Sequence, residues 1–235
     1  MPYGRPVSTH GLAPPRAVIF DFNGTLSYDE PLLARIFARM FGEVGMDVDE
    51  DLYFREFAGY SDIEIVERVL THFDRYEPAL AARMAERRSE LYLEAVTEQS
   101  PVLPAAADFV RRAAERVPVA IVTGALRRDV TAVLEVSGLV ELFGVLVSAE
   151  DVQQGKPHPE GYLTGLRLLN EDAAEPLAAA DVLVFEDSPV GLAAAHAAGM
   201  RCVVVAGTVP RERVAAADAI VSALDWSIPL VEGWT

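Results

Sequence analysis

A buried strand that ends in a carboxylate lies near the N-terminus and constrains the fold of this chain more than any other segment. The apolar run Val18-Ile19-Phe20 leads into Asp21, and Gly24 follows shortly after. Such a run, broken by a polar residue and a glycine, is typical of a buried strand followed by a turn. In an open α/β sheet, ligands bind at the carboxyl ends of the strands. Asp21 is therefore a candidate for chemistry, and Asn23 beside it is the residue to explain.

Strands and helices alternate along the C-terminal half of the chain. Beyond Pro104 the spacing of apolar residues switches repeatedly between the period typical of strands, about 2 residues, and that of helices, about 3.6 residues. This alternation predicts a parallel sheet covered by helices on both faces. We expect strands at 118–122, 145–148, 181–185, 202–205 and 219–221, and helices at 105–116, 126–136, 159–169 and 188–199. The predicted fold class is α/β.

The segment between the first strand and Pro104 has a different character. Helical spacing of apolar residues occurs at 31–41, 63–72 and 79–97, with turn signals on either side and no convincing strand. We predict a helical insertion over 29–103, joined to a core formed by 1–28 and 104–235. Residues 1–15 are rich in Pro and Gly, and we expect a loose tail there.

The composition argues against several classes of partner. The formal net charge is −16, whereas surfaces for nucleic acid or anionic membrane need clustered Lys and Arg. The single cysteine, Cys202, allows no internal disulfide and fits a reducing compartment. No apolar run approaches the length of a membrane span, and the N-terminus lacks a signal-peptide core. We expect a cytoplasmic protein with no nucleic-acid or membrane partner.

Lys156 is the only lysine, although Lys and Arg together number 20. A compositional bias toward arginine explains why the surface carries arginine in place of lysine. A lysine retained under that bias indicates a place where a compact ammonium is required and a guanidinium cannot substitute.

Reactive residue types follow four of the predicted strands or the turns next to them. They are Asp21, Thr123-Gly124, Lys156 and Glu186-Asp187. Because the carboxyl ends of parallel strands share one edge of a sheet, we expect these side chains to meet in one pocket.

The set suits phosphoryl transfer. Asp21 and Asp187 can bind Mg²⁺, which prefers oxygen ligands, and Lys156 can offset charge on the phosphoryl oxygens. The Thr123 hydroxyl and the amides that follow it, at Gly124 and Ala125, can donate to the phosphate. Asp21 can attack phosphorus and form an aspartyl-phosphate. The turn after Asp21 also allows the backbone carbonyl of residue 23 to reach the metal.

At these residues the chain resembles the haloacid dehalogenase (HAD) superfamily, in the helical-cap branch that includes β-phosphoglucomutase and phosphoglycolate phosphatase. The resemblance rests on four motifs in order, over roughly residues 16–221. They are Asp21-Phe22-Asn23-Gly24-Thr25-Leu26, Thr123, Gly155-Lys156-Pro157 and Glu186-Asp187-Ser188-Pro189.

The resemblance implies a Rossmann-like core with a mobile cap and a Mg²⁺-dependent phosphatase activity. It implies catalytic roles for Asp21, residue 23, Thr123 and Lys156, and a monomeric state. Its metal ligands are Asp21, the carbonyl of Asn23, Asp187 and Glu186, the last either directly, through water, or only as an orienting group.

Asn23 departs from the family pattern, in which a second Asp protonates the leaving group and then activates water. Asn has no proton to exchange, and general acid–base help is worth about 10²–10⁴ in rate. We therefore expect a slow phosphatase, or one that favours good leaving groups such as acyl phosphates.

Three functions stay open at this point. The first is a Mg²⁺-dependent phosphohydrolase of a small phosphorylated metabolite. The second is a binding or regulatory protein that kept the fold but lost efficient catalysis. A phosphoglucomutase-like phosphotransferase is the weakest, because Ala58 and Asp62 stand where the mutase cap motif has Lys and Arg.

Overall fold

One parallel sheet forms the centre of the molecule in the computed structural model, which describes residues 12–57, 60, 62–98, 100–171, 173–207, 209–226, 231 and 234. The strands are β1 (Ala17–Phe20), β2 (Val119–Val122), β3 (Phe143–Val147), β4 (Val182–Glu186), β5 (Arg201–Val205) and β6 (Ala219–Val221). Their order is β3-β2-β1-β4-β5-β6, and all neighbours are parallel. The predicted α/β class is confirmed, and every predicted strand is present within two residues of its predicted bounds.

Among the described residues, five helices lie between β1 and β2, and three lie beyond β2. They are α1 (Glu30–Gly42), α2 (Glu50–Leu52, continued by a π-helical turn at Tyr53–Phe57), α3 (Asp62–His72), α4 (Pro78–Glu98), α5 (Pro104–Ala114), α6 (Arg127–Val136), α7 (Glu160–Glu171) and α8 (Pro189–Ala197). Short 3-10 turns occur at Val140–Leu142, Ala149–Asp151, Ala179–Asp181 and Arg211–Val214. The predicted helices are all present, whereas α2 and its π-helical turn were not predicted.

The sheet is buried on both faces because its side chains alternate between two apolar layers. Phe20 of β1 stacks on Phe185 of β4 at 5.3 Å and belongs to the layer that faces the inserted helices and α5. Ile19 points to the opposite layer, which includes Tyr162 of α7. This double burial explains why the strands read as continuous apolar runs.

Helix α4 of the insertion packs against α6 through charged side chains. Arg88 of α4 pairs with Asp129 of α6, and both side chains are almost completely buried. Arg88 also lies 2.8 Å from Asp62 of α3, and Glu86 pairs with Arg128 at 3.0 Å on the surface. The inserted helices are therefore joined to the rest of the chain by ion pairs as well as by the two connections.

The two connections of the insertion run side by side. The backbone N–H of Tyr28 donates to the carbonyl of Pro101 at 3.0 Å, and Ser27 forms a bridge with Val102. The division into a core and a cap at 28/29 and 103/104 stays a prediction.

The predicted loose tail falls mostly outside the described residues, which begin at Leu12. Leu12 forms a bridge with Val231, and the carbonyl of Ala13 accepts a hydrogen bond from Arg201 at 2.7 Å. Within the described part of the chain, no helix combines the length and the apolar character needed to cross a bilayer.

Candidate active site

The ends of β1, β2 and β4 meet at the ammonium group of Lys156. Its Nζ donates to Oδ1 of Asp21 at 2.5 Å and to Oε1 of Glu186 at 2.5 Å. It also donates to the carbonyl of Val122, the last residue of β2, at 3.2 Å. Lys156 lies on the connection from β3 to α7, so four segments that are distant in sequence share one cluster. The strand order switches direction at this edge, because the chain crosses from β3 on one side of β1 to β4 on the other. Open α/β sheets bind ligands at such a point.

Glu186 is fully buried, and both of its oxygens accept hydrogen bonds. In addition to Lys156, Oε1 accepts from the hydroxyl of Tyr162 at 2.8 Å. Oε2 accepts from the backbone N–H groups of Asp187 at 3.0 Å and Ser188 at 3.2 Å, and from the Ser188 hydroxyl at 3.0 Å. A buried carboxylate needs such compensation for the loss of water. Glu186 thus fixes the position of Lys156.

Burial and the oppositely charged neighbour act in opposite directions on the pKa values of Asp21, Glu186 and Lys156. Burial is the largest influence on Asp21 and raises its pKa to about 7, although Lys156 acts to lower it. Burial also acts to raise the pKa of Glu186, but Lys156 and the hydrogen bonds outweigh it, and the pKa lies below its ordinary value. Burial lowers the pKa of Lys156, the two carboxylates raise it more, and the amine stays charged.

Three carboxylates at this edge could hold a metal ion. One oxygen each from Asp21, Glu186 and Asp187 lies within 4.8 Å of the others, and all three residues are buried. Carboxylate oxygens are the ligands that a hard cation such as Mg²⁺ prefers. The donor set therefore fits a divalent ion of this class.

Thr123 follows β2 beside this cluster. Its backbone N–H donates to the carbonyl of Val147 at 2.9 Å, and its side-chain oxygen accepts from the N–H of Ala125 at 3.1 Å. The hydroxyl proton of Thr123 is therefore not used in that bond. The backbone N–H of Ala125, a predicted phosphate donor, is therefore already bonded to Thr123. A Cβ on the intervening Gly124 would meet nothing within 4 Å, so the space beside Gly124 is open.

The family model for haloacid dehalogenase-like hydrolases matches residues 15–199 of the chain. The chain belongs to this family. The resemblance stated from the motifs is thereby confirmed.

Several relatives extend over most of this HAD-like hydrolase. The validoxylamine A 7'-phosphate phosphatase of Streptomyces hygroscopicus subsp. limoneus is 31% identical over 213 residues, covering 89% of this chain and 94% of the relative. A phosphorylated carbohydrates phosphatase of Thermotoga maritima is 33% identical over 187 residues, covering 78% and 82%. The crystal structure of CbbY from Rhodobacter sphaeroides in complex with phosphate superimposes with a TM-score of 0.77 at 27% identity, covering 89% of this chain and 95% of that one.

Asn23 of this HAD-like hydrolase lies in a tight loop after β1. Gly24 adopts a positive φ of 77°, and its N–H donates to the carbonyl of Ser27 at 2.8 Å. The side-chain amide of Asn23 donates to Oδ2 of Asp29 at 2.7 Å. Tyr92 of α4 donates its hydroxyl to the same oxygen at 2.7 Å. Burial raises the pKa of Asp29 above its ordinary value, against the opposing effects of the Tyr92 hydrogen bond and of Arg88.

Three of these residues were not predicted from the sequence. Tyr162 lies on α7, Asp29 in the connection before α1, and Tyr92 on α4. Each makes its contact through a single polar atom on an otherwise ordinary helical or loop segment. No local sequence pattern indicates these three contacts.

Proposed function

We propose that this HAD-like hydrolase is a phosphatase of small phosphorylated metabolites and that Asp21 is its nucleophile. The observation that carries the proposal is the contact of Asp21 with Lys156, 2.5 Å apart, inside a buried cluster with Glu186 and Asp187. The names of the Streptomyces and Thermotoga relatives, both phosphatases, support the reaction class. The cytoplasmic location and the monomeric state stay predictions.

In the proposed reaction, a carboxylate oxygen of Asp21 attacks phosphorus while the bond from phosphorus to the leaving oxygen breaks. Lys156 is charged and partly buried, so it can balance the negative charge of the phosphoryl oxygens at short range. The Thr123 hydroxyl can donate its free proton to one of these oxygens. Water then attacks the aspartyl-phosphate, which releases phosphate and restores the carboxylate.

Asp21, Asp187 and the backbone carbonyl of Asn23 would hold Mg²⁺ in this proposal. When bound, the ion neutralises charge on the phosphoryl group. Glu186 is already bonded to Lys156, Tyr162 and the start of α8, so we assign it the task of orienting Lys156. Its role as a direct metal ligand stays a prediction.

Asn23 sets the expected rate. Its amide has no proton to give to a leaving alkoxide and takes none from water, so both half-reactions lack acid–base help. We expect faster turnover of substrates whose leaving group needs no proton, such as acyl phosphates and p-nitrophenyl phosphate.

The experiment is a comparison of the wild type with Asp21→Asn on p-nitrophenyl phosphate, with Mg²⁺ and with EDTA. We expect Mg²⁺-dependent release of phosphate by the wild type and none by Asp21→Asn. A matched control is Asp108→Asn, an exposed residue of α5 paired with Arg112, which should retain full activity. Unchanged turnover by Asp21→Asn would show that another group is the nucleophile.

A second function follows from the same Asn23. A HAD-fold protein without the acid–base carboxylate could bind a phosphorylated ligand without turning it over. Binding of a phosphate ester by the wild type, measured by calorimetry, together with no turnover across a panel of esters, would favour this alternative.

A further inference from the structure

One buried carboxylate links three separate parts of the chain next to the proposed active site. Asp29, in the connection to the inserted helices, accepts hydrogen bonds from Asn23 of the loop after β1 and from Tyr92 of α4. Both distances are 2.7 Å, and both donors share Oδ2 of Asp29. Asp29 and Tyr92 are almost completely buried, so water does not compete for these bonds.

The chemistry of the contact fixes which end of the Asn23 side chain faces Asp29. Oδ2 of Asp29 accepts from both Nδ2 of Asn23 and the Tyr92 hydroxyl, so the NH₂ group of Asn23 points toward Asp29. The amide oxygen of Asn23 is then directed away from Asp29. A carboxylate at position 23 would have no donor for this bond and would meet a second carboxylate at hydrogen-bond distance. The residue types at 23 and 29 are therefore matched to each other.

We infer that Asp29 and Tyr92 are positioning residues, which hold the Asn23 amide with its oxygen toward the water that hydrolyses phospho-Asp21. This inference rests on the proposed function. The amide oxygen accepts a hydrogen bond from the water, and the water oxygen forms the new bond to phosphorus. The bond from phosphorus to Asp21 breaks, its electron pair returns to the carboxylate, and both water protons leave with the product as dihydrogen phosphate. No proton passes to Asn23.

Tyr92 extends the arrangement to the inserted helices. It lies on α4 one turn from Arg88, whose guanidinium carbon lies 4.5 Å from the centre of the Tyr92 ring. Arg88 in turn pairs with Asp129 of α6. The Asn23 amide is thus linked through Asp29 to Tyr92, whose helix is itself paired with α6.

The test exchanges the two residue types. Asn23→Asp alone places two carboxylates in contact, so we expect no more than about a threefold gain in kcat, despite the return of an acid–base group worth about 10²–10⁴. In the double variant Asn23→Asp with Asp29→Asn, the amide nitrogen at 29 carries two protons, one for Asp at 23 and one for the Tyr92 oxygen. We expect this exchange to raise kcat on an alkyl phosphate such as glycerol phosphate by about 10-fold or more.

Two single variants test positioning without a new carboxylate at 23. Asp29→Leu, whose side chain accepts no hydrogen bond, and Tyr92→Phe should each lower kcat on p-nitrophenyl phosphate by about 10-fold while KM changes less than about twofold, because the amide moves and the phosphate ligands do not. The matched control is Asn170→Asp, at the end of α7, where the amide bonds only the backbone of Leu177. It should leave kcat unchanged.

The outcomes separate the inference from the proposed function. Equal kcat for Asn23→Asp and the double variant, or wild-type kcat in Asp29→Leu and Tyr92→Phe, overturns the inference while the phosphatase activity stands. Absence of turnover in the wild type and in every variant, all shown to be folded by circular dichroism, overturns the proposed function and the inference with it. A gain confined to the double variant supports both.

Discussion

Gly191 faces the carboxylate of Glu186 so closely that a Cβ on it would lie 1.8 Å from Oε1. Gly191 is in the first turn of α8, where its N–H donates to the Ser188 hydroxyl at 3.1 Å. The helix therefore approaches the buried carboxylate along its backbone, and only glycine leaves room for the pair of Glu186 and Lys156.

Gly191→Ala should disable the site. The methyl group must displace the Glu186 carboxylate, which loosens Lys156, and we expect kcat on p-nitrophenyl phosphate to fall by about 10²-fold or more. The matched control is Gly144→Ala in β3, where a Cβ would meet nothing within 4 Å. Wild-type kcat in Gly191→Ala would show that Glu186 does not need its observed position.

The buried pair between Arg88 and Asp129 should contribute strongly to stability. Asp129→Ala leaves the Arg88 guanidinium with Asp62 as its remaining partner, and breaking a buried pair in this way costs about 3–5 kcal/mol. Urea unfolding measures the change in the free energy of unfolding. Asp108→Ala removes an exposed pair of α5 and should change it by less than about 0.5 kcal/mol. Similar values for both variants would contradict the role of the buried pair.

Mg²⁺ affinity should depend on pH through Asp21. Burial raises the pKa of Asp21 to about 7 in the metal-free protein, so below that pH the carboxyl is protonated and binding must release the proton. The apparent Kd for Mg²⁺ should therefore fall about tenfold per pH unit as the pH rises toward 7, and level off above it. Calorimetry at several pH values measures this trend. The range from about pH 5 to about pH 8 spans the expected change. A Kd that stays constant over this range would show that Asp21 is ionised throughout.

The sequence predicted the parts of the site that follow from strand geometry. Asp21 and Asp187 each directly follow or end a buried apolar run, Lys156 lies in the connection after β3, and parallel strands bring these segments to one edge. The same regularity explains why all the strands and the longer helices were predicted.

The sequence did not predict the contacts that depend on packing between helices. Arg88 is a charged residue on a helix with many exposed charges, and nothing in its neighbours indicates that it is buried. The link from Asp29 to Tyr92 spans 63 positions, so no local pattern records it. The π-helical turn after α2 is too short for its period to be recognised.

The most direct measurement is to quench the wild type in acid during turnover of p-nitrophenyl phosphate with Mg²⁺ and to locate bound phosphate by peptide mass spectrometry. Because Asn23 cannot take a proton from the attacking water, hydrolysis of the intermediate should be slow, and the phosphorylated form should accumulate. We predict phosphate on the peptide that contains Asp21, removed by hydroxylamine and absent from Asp21→Asn. Turnover with no phosphate on that peptide, or phosphate on a different residue, would contradict the account.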